Sequence, residues 1–166
     1  MVNFSYKFRI YPNKTQQIIL NKMFGCSRFV WNHFLSLEKK NYQETKKFKF
    51  YHNNSKTLTE IKKQKETQFL KEVNSQSLQA ALKNLDQAFK SAFKKIHGFP
   101  VFKKKFNKQS FKVSQNLEID QENNKVYIPK FKQGIDVVIH RKMKGRIISG
   151  TISKSKTGKF FNFIVL

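Results

Sequence analysis

The sequence predicts an α+β chain, a β-domain interrupted by a helical insert. Three observations lead there. A strictly alternating stretch opens the chain, long stretches of three- and four-residue periodicity fill its middle, and alternation returns after Gly98 with Gly, Pro and Asn as punctuation. A lone first strand cannot stand in water, so it must pair with the later strands, and the helices become an insertion between them.

The opening "FSYKFRIY" turns Phe4, Tyr6, Phe8 and Ile10 one way and Ser5, Lys7, Arg9 and Tyr11 the other. That is a half-buried strand with a basic outer face. Pro12 ends it, and Asn13 with Gln16 forms a capping box that starts a helix with Ile19, Leu20, Met23 and Phe24 on its apolar side. Gly25 is expected to break this helix. Ser27 would cap a second one, carrying Val30, His33, Phe34 and Leu37, to give a helix-turn-helix-like hairpin. Residues 45–56 are polar, basic and aromatic and read as a loop. Thr57 and Glu60 read as another capping box, opening a short helix that runs to roughly Lys65.

The strongest period runs from Ser75 to Ile96. Leu78, Leu82, Leu85, Phe89, Ala92, Phe93 and Ile96 mark a buried face, with Gln76, Gln79, Lys83, Gln87, Lys90 and Lys94 opposite. Beyond Gly98 and Pro100, "SFKVS", "NLEID", "KVYIP", "IDVVIH", "RIISGTIS" and "KFFNFIVL" read as strands, with "DQENNK" and "SKTGK" at turns.

Charge narrows the partner class. The 166 residues carry 34 basic and 10 acidic side chains, a formal net charge of +24, yet 39% are hydrophobic and Phe alone occurs 18 times. The apolar content supports a core, so this is no disordered basic tail. Such self-repulsion is relieved by polyanions, and nucleic acid is the expected partner. Arg is confined to Arg9, Arg28, Arg141 and Arg146. The Lys excess suits phosphate as a point charge, and a bias toward AT-rich codons accounts for it equally well. The single Cys26 excludes an internal disulfide and a multi-cysteine metal site within one chain. The N-terminus has no continuous apolar signal region, and no apolar run approaches the roughly 20 residues needed to span a bilayer. The expected location is the cytosol, on the nucleoid.

Catalytic patterns are absent: no phosphate-cradling glycine loop, no zincin motif and no cysteine pair. Glu118 and Asp120 share one strand face and could hold a metal, but a solvated hairpin face explains them better. His33 reads as a packed histidine, and His140 with Arg141 and Lys142 as a place for phosphate. The stretch "GFPVFKKKFNKQSFKV" alternates rings and ammonium groups. It suits a nucleic-acid channel better than a membrane surface, because Pro100 interrupts any amphipathic helix.

Four stretches in order, "FRIYPNKTQQIILNKMFGCSRFVWNHFL", "SQSLQAALKNLDQAFKSAFKKIHGFPVFKKK", "KVYIPKFKQGIDVVIHRKMKGRI" and "GTISKSKTGKFFNFIVL", resemble the N-terminal half of the TnpB (OrfB) family. These insertion-sequence proteins include compact RNA-guided DNA nucleases related to type V CRISPR effectors. The resemblance implies a β-barrel wedge domain (1–12 plus 99–166) around a helical recognition domain (13–98). It implies a guide RNA and double-stranded DNA as partners, with no membrane and no small-molecule substrate. The protein would read a short DNA motif while the guide reads the rest by pairing.

Carried over by the resemblance, motif reading falls to the Tyr51–Ser55 loop, to Gln76, Gln79 and Lys83 on the long helix, and to Ser114 and Gln115. RNA backbone contact falls to Lys7, Arg9, Lys103, Lys104, Lys105 and Arg141. Trp31 and "KFF" stand where the family pattern has Tyr and a Trp-containing pair, and they read as core substitutions. The family's nuclease domain, with three metal-binding carboxylates and a cysteine zinc site, would begin after Leu166. This chain alone is therefore expected to hold no catalytic residue, no metal and no other cofactor, and Leu166 is expected to be a fragment boundary. The rival readings are a nuclease-free DNA or RNA binder, such as a repressor or transposon remnant, and a general RNA-binding accessory protein. A protein of anionic membrane surfaces is the most distant rival.

Overall fold

The computed structural model describes residues 4–166. The chain forms two compact units, Met1–Phe24 with Lys105–Leu166, and Gly25–Lys104. The first is a seven-stranded antiparallel sheet joined by the start of a helix. Its strands are β1 (Ser5–Tyr11), β2 (Gln109–Val113), β3 (Glu118–Asp120), β4 (Lys125–Tyr127), β5 (Ile135–Val138), β6 (Ser149–Lys154) and β7 (Phe160–Val165). Their order in the sheet is β2-β6-β7-β1-β5-β4-β3.

This pattern corrects the expected barrel. Strands β2 and β3 are the sheet's edges, and no ladder joins them, so the sheet is open. Closure demands matched tilt and shear around a whole ring of strands. Alternation in a sequence specifies strands and leaves closure unspecified.

The first strand pairs with β7 on one side and β5 on the other, so it is central. Its inward residues Phe8 and Ile10 are buried, as the alternation predicts. Burying a side chain of that size stabilises by about 2 kcal/mol. Across the sheet Phe111, Val113, Val126, Ile135, Val137, Ile152, Phe160 and Ile164 complete the same core. Helix α1 (Lys14–Thr45) starts with the predicted capping box: the Gln16 amide N–H donates to Asn13 Oδ1 at 2.8 Å, and the Asn13 N–H donates to Gln16 Oε1 at 3.0 Å. Gln16 Nε2 also donates to the Gly134 carbonyl at 2.6 Å, tying the helix start to the β4–β5 connection. The Phe24 ring lies against Phe111 and Phe160, at 5.2 and 6.4 Å between centroids.

Gly25 does not break the helix, a second correction. Residues 14–45 form one continuous helix, and Ser27 is buried within it rather than capping a new one. A helical Gly costs only about 1 kcal/mol relative to Ala. The buried Leu20, Met23 and Phe24 before it and Val30, Trp31, Phe34 and Leu35 after it outweigh that cost.

The second unit holds the rest of α1, α2 (Tyr51–Ile61), a 3-10 segment (Lys65–Glu72) and α3 (Ser75–Phe93). The predicted loop shrinks to the few residues before Tyr51, so helix α2 begins ahead of the expected Thr57–Glu60 capping box. The reason is tertiary. The Tyr51 N–H donates to Asp86 Oδ1 of α3, and the Lys49 N–H donates to Glu38 Oε2 of α1, which supplies from elsewhere the acceptors a local cap would give. Asn74 caps α3 by accepting from the Gln76 N–H, and the apolar stripe Leu78, Leu82, Leu85, Phe89 and Ala92 is buried as the period predicts. Phe93 and Ile96 are exposed, so that face ends at Ala92.

Candidate nucleic-acid interface

In the sheet unit, the face opposite the core carries the basic residues of β1. Register places Arg9 across from Phe161 and Lys7 across from Phe163. The Lys7 ammonium lies 4.4 Å from the Phe161 ring centroid and 5.3 Å from that of Phe163. The Arg9 guanidinium lies 5.0 Å from the Tyr11 ring and 5.3 Å from Phe161, and Lys108 lies 5.1 Å from Phe163. Each is a cation held over a ring face. Lys105 and Arg141 are exposed in the same unit, outside the strands, as are Ser114 and Gln115 between β2 and β3. His140 places its ring edge-on to Phe8 at 5.2 Å.

Two carboxylates of this unit are engaged, Asp136 in an ion pair with Lys125 and Asp120 in a turn. Asp120 accepts from the Glu122 and Asn123 N–H groups and from Asn123 Nδ2, and these bonds hold its carboxyl below the usual range. It closes the β3–β4 turn. Among the described residues no group of three or more His, Cys, Asp or Glu side chains could hold a metal ion.

In the helical unit, the stretch after Gly98 is clamped to α1. Trp31 Nε1 donates to the Val101 carbonyl at 2.9 Å. Asn32 Nδ2 donates to the Lys103 carbonyl, and Asn32 Oδ1 accepts from the Lys103 N–H. The clamp seats the Lys103 ammonium 3.9 Å from the Trp31 ring, and burial there lowers its pKa. Lys39 sits over Phe102 at 4.7 Å. Phe99 packs edge-on to Phe93, in a ring cluster with Phe89, Phe48 and Tyr42. Phe106, beyond this segment in the sheet unit, is 86% exposed.

Helices α2 and α3 bring part of the predicted motif-reading set together. Lys83 lies 5.2 Å from the Tyr51 ring. Tyr51 and Ser55 stand one turn apart on α2, so they belong to a helix rather than to the expected loop. Gln76 and Gln79 lie on the first turns of α3, with Gln79 exposed. Ser114 and Gln115 belong to the other unit, as does Lys105, whereas Lys103 and Lys104 belong to this one.

Two features escaped sequence reasoning. One is Phe161 and Phe163 as open-face residues. Of the "KFF" pair only Phe160 is buried, so the reading of core substitutions holds for it and for Trp31 but not for Phe161. The alternation F-F-N-F-I-V carried that signal. The other is Glu38, 2% exposed, whose oxygens accept from Asn54 Nδ2 and the Lys49 N–H. Burial raises its pKa against those bonds.

Residues 1–47 match a family model described as a helix-turn-helix domain, that of OrfB from IS605 elements. The chain is 36% identical over 126 residues to "Putative RNA-guided DNA endonuclease InsQ" of Escherichia coli (strain K12), covering 76% of this chain and 31% of that protein. It is 28% identical over 159 residues to "Putative RNA-guided DNA endonuclease" of Streptomyces pristinaespiralis, covering 95% of this chain and 40% of that one. It is also 36% identical over 111 residues to "Virulence protein VsdF" of Salmonella dublin, covering 61% of this chain and 93% of that one. The chain belongs to the TnpB (OrfB) family. It spans less than half the length of the two endonuclease relatives. No helix among the described residues is long and apolar enough to cross a membrane.

Proposed function

We propose that this chain is the nucleic-acid-gripping lobe of a TnpB-like RNA-guided DNA endonuclease. The observation that carries this reading is the pairing of cations with aromatic rings on the surfaces of both units, in a chain of net charge +24. The relatives named as RNA-guided DNA endonucleases support it. In this reading 1–12 with 99–166 form the wedge domain and 13–98 the helical recognition domain. Lys7, Arg9, Lys103, Lys104, Lys105 and Arg141 bind guide-RNA phosphates. Tyr51, Ser55, Gln76, Gln79, Lys83, Ser114 and Gln115 read the duplex motif, with Gln suited to adenine in the major groove. The divalent metal and zinc of the longer proteins belong to the nuclease part, and this chain with magnesium leaves DNA uncut. Its place of action is the nucleoid.

The test is binding to the structured transcript of its own element, compared with a shuffled RNA of equal length and composition. Preference for the transcript supports the lobe. Equal affinity for both contradicts it and leaves a general RNA-binding protein. A second reading, a nuclease-free binder that acts by occupancy, is favoured by VsdF, 93% of which the chain spans. It predicts tight duplex binding without any RNA, which the lobe does not.

A further inference from the structure

We infer that the open face of the sheet around β7 is a stacking platform for unpaired nucleotides. Phe161 and Phe163 receive bases, and Lys7, Arg9 and Lys108 receive phosphates. The inference rests on the proposed nucleic-acid reading and adds to it the state of the strand that is held.

The rings are placed by the pleat. Phe160, Asn162 and Ile164 are buried on the core side of β7, so Phe161 and Phe163 must stand on the other side, where they are only half-buried. β7 is interior, with β6 and β1 on its flanks, so these phenyls occupy the middle of a sheet face rather than an edge. β6 carries small residues in the same rows, the half-buried Thr151 opposite Phe163 and the buried Ser153 opposite Phe161, so the two phenyls are the bulky apolar groups there. Residues two apart on a strand are separated by roughly 6.6 Å, about twice the ~3.4 Å step of stacked bases. Two bases on these rings are therefore unstacked from one another, a geometry open to a single strand and closed to a duplex.

Charge selects the occupant. Lys7, Arg9 and Lys108 surround the rings, Lys112 lies in the row of Thr151 and Phe163, and among the described residues none of these cations is in a salt bridge. Arg9 Nε is buried with no hydrogen-bond partner. The nearest carboxylate along the register is Asp136, opposite Tyr11, and it is paired with Lys125 at 2.5 Å. Before binding, the ammonium groups cover the ring faces. An exposed cation–π contact is weaker than a base stack, so an arriving base displaces the cation onto its own phosphate.

The test uses fluorescence anisotropy with oligouridine, oligodeoxyuridine and an RNA duplex of matched length, on the whole chain and on Phe161→Leu, Phe163→Leu and the double variant. Leu keeps apolar volume and removes the π face. Each single change should weaken single-strand binding roughly fivefold or more, with duplex binding and the salt slope unchanged. Loss on both single-strand arms marks a platform blind to the sugar; loss on the RNA arm alone ties it to the 2′-hydroxyl. Single-strand affinity unchanged in the double variant, or falling in step with duplex affinity, overturns the platform and leaves the nucleic-acid reading standing. Failure of the wild-type chain to bind any of the three overturns both. Photo-cross-linking of 5-bromouridine RNA to the wild-type chain needs no variant to fold. Adducts on Phe161 or Phe163 are expected, and adducts confined to other residues overturn the platform.

Discussion

Gly25 shows how a single residue can mislead at the level of sequence. In isolation it is a helix breaker, but a Cβ built there meets nothing nearer than an Arg28 guanidinium nitrogen at 4.0 Å. Gly25→Ala should therefore raise stability by about 0.5–1 kcal/mol by removing backbone entropy from the unfolded chain, read as a higher urea midpoint at unchanged slope. Glu38 makes the opposite kind of prediction. Its carboxyl is pushed above the ordinary 4.5 by burial, so the folded state holds a proton that the unfolded state has already released. Stability is then lost as pH rises from 4.5 through the folded value. Urea midpoints of wild type and Glu38→Gln, compared across that interval, should show the wild type losing ground as pH rises. A constant difference between the two would contradict the assignment. Neither the buried Glu38–Asn54 bond nor the bond from the Lys49 N–H was visible in the sequence, because they join α1 to α2 and to the loop before it and follow no period.

At the scale of elements, the sequence was most legible where a period was long or a cap was local. β1 and the buried face of α3 stand where alternation and the three-and-four spacing put them, and the Asn13–Gln16 box closes as expected. The start of α2 was illegible because its acceptors come from Asp86 and its preceding loop is pinned by Glu38, both distant in sequence. The open sheet was illegible for a similar reason, since closure depends on how β2 and β3 meet rather than on either strand. Gly150 of β6 carries a prediction at this scale. A Cβ there would lie 2.2 Å from Leu117 Cδ2 and 3.2 Å from the Phe163 carbonyl oxygen. Leu117 is buried and cannot simply swing into solvent. Gly150→Ala should cost about 1–3 kcal/mol by overpacking, measured as a lowered thermal midpoint, whereas an unchanged midpoint would mean the β2–β3 connection yields freely.

For the whole molecule, charge dominates. A net +24 on 166 residues makes the free protein repel itself, and any polyanion that binds only the folded state stabilises it by mass action. The candidate site was legible in composition and in the resemblance, which named basic residues on both units. Its texture was not. The seating of Lys7 on Phe161, Lys83 on Tyr51 and Lys103 on Trp31 depends on strand register, helix pairing and a backbone clamp, none of which a charge count contains. The measurement that tests the central claim most directly is the salt dependence of RNA binding. It should be made for the wild-type chain and for a variant with Lys7, Arg9, Lys105 and Arg141 changed to Gln. The account predicts a steep linear fall of log affinity with log salt in the wild type. In the variant the slope should be shallower by roughly 0.7–0.9 for each phosphate contact removed. Identical slopes in the two proteins, or wild-type affinity that does not respond to salt, would contradict it.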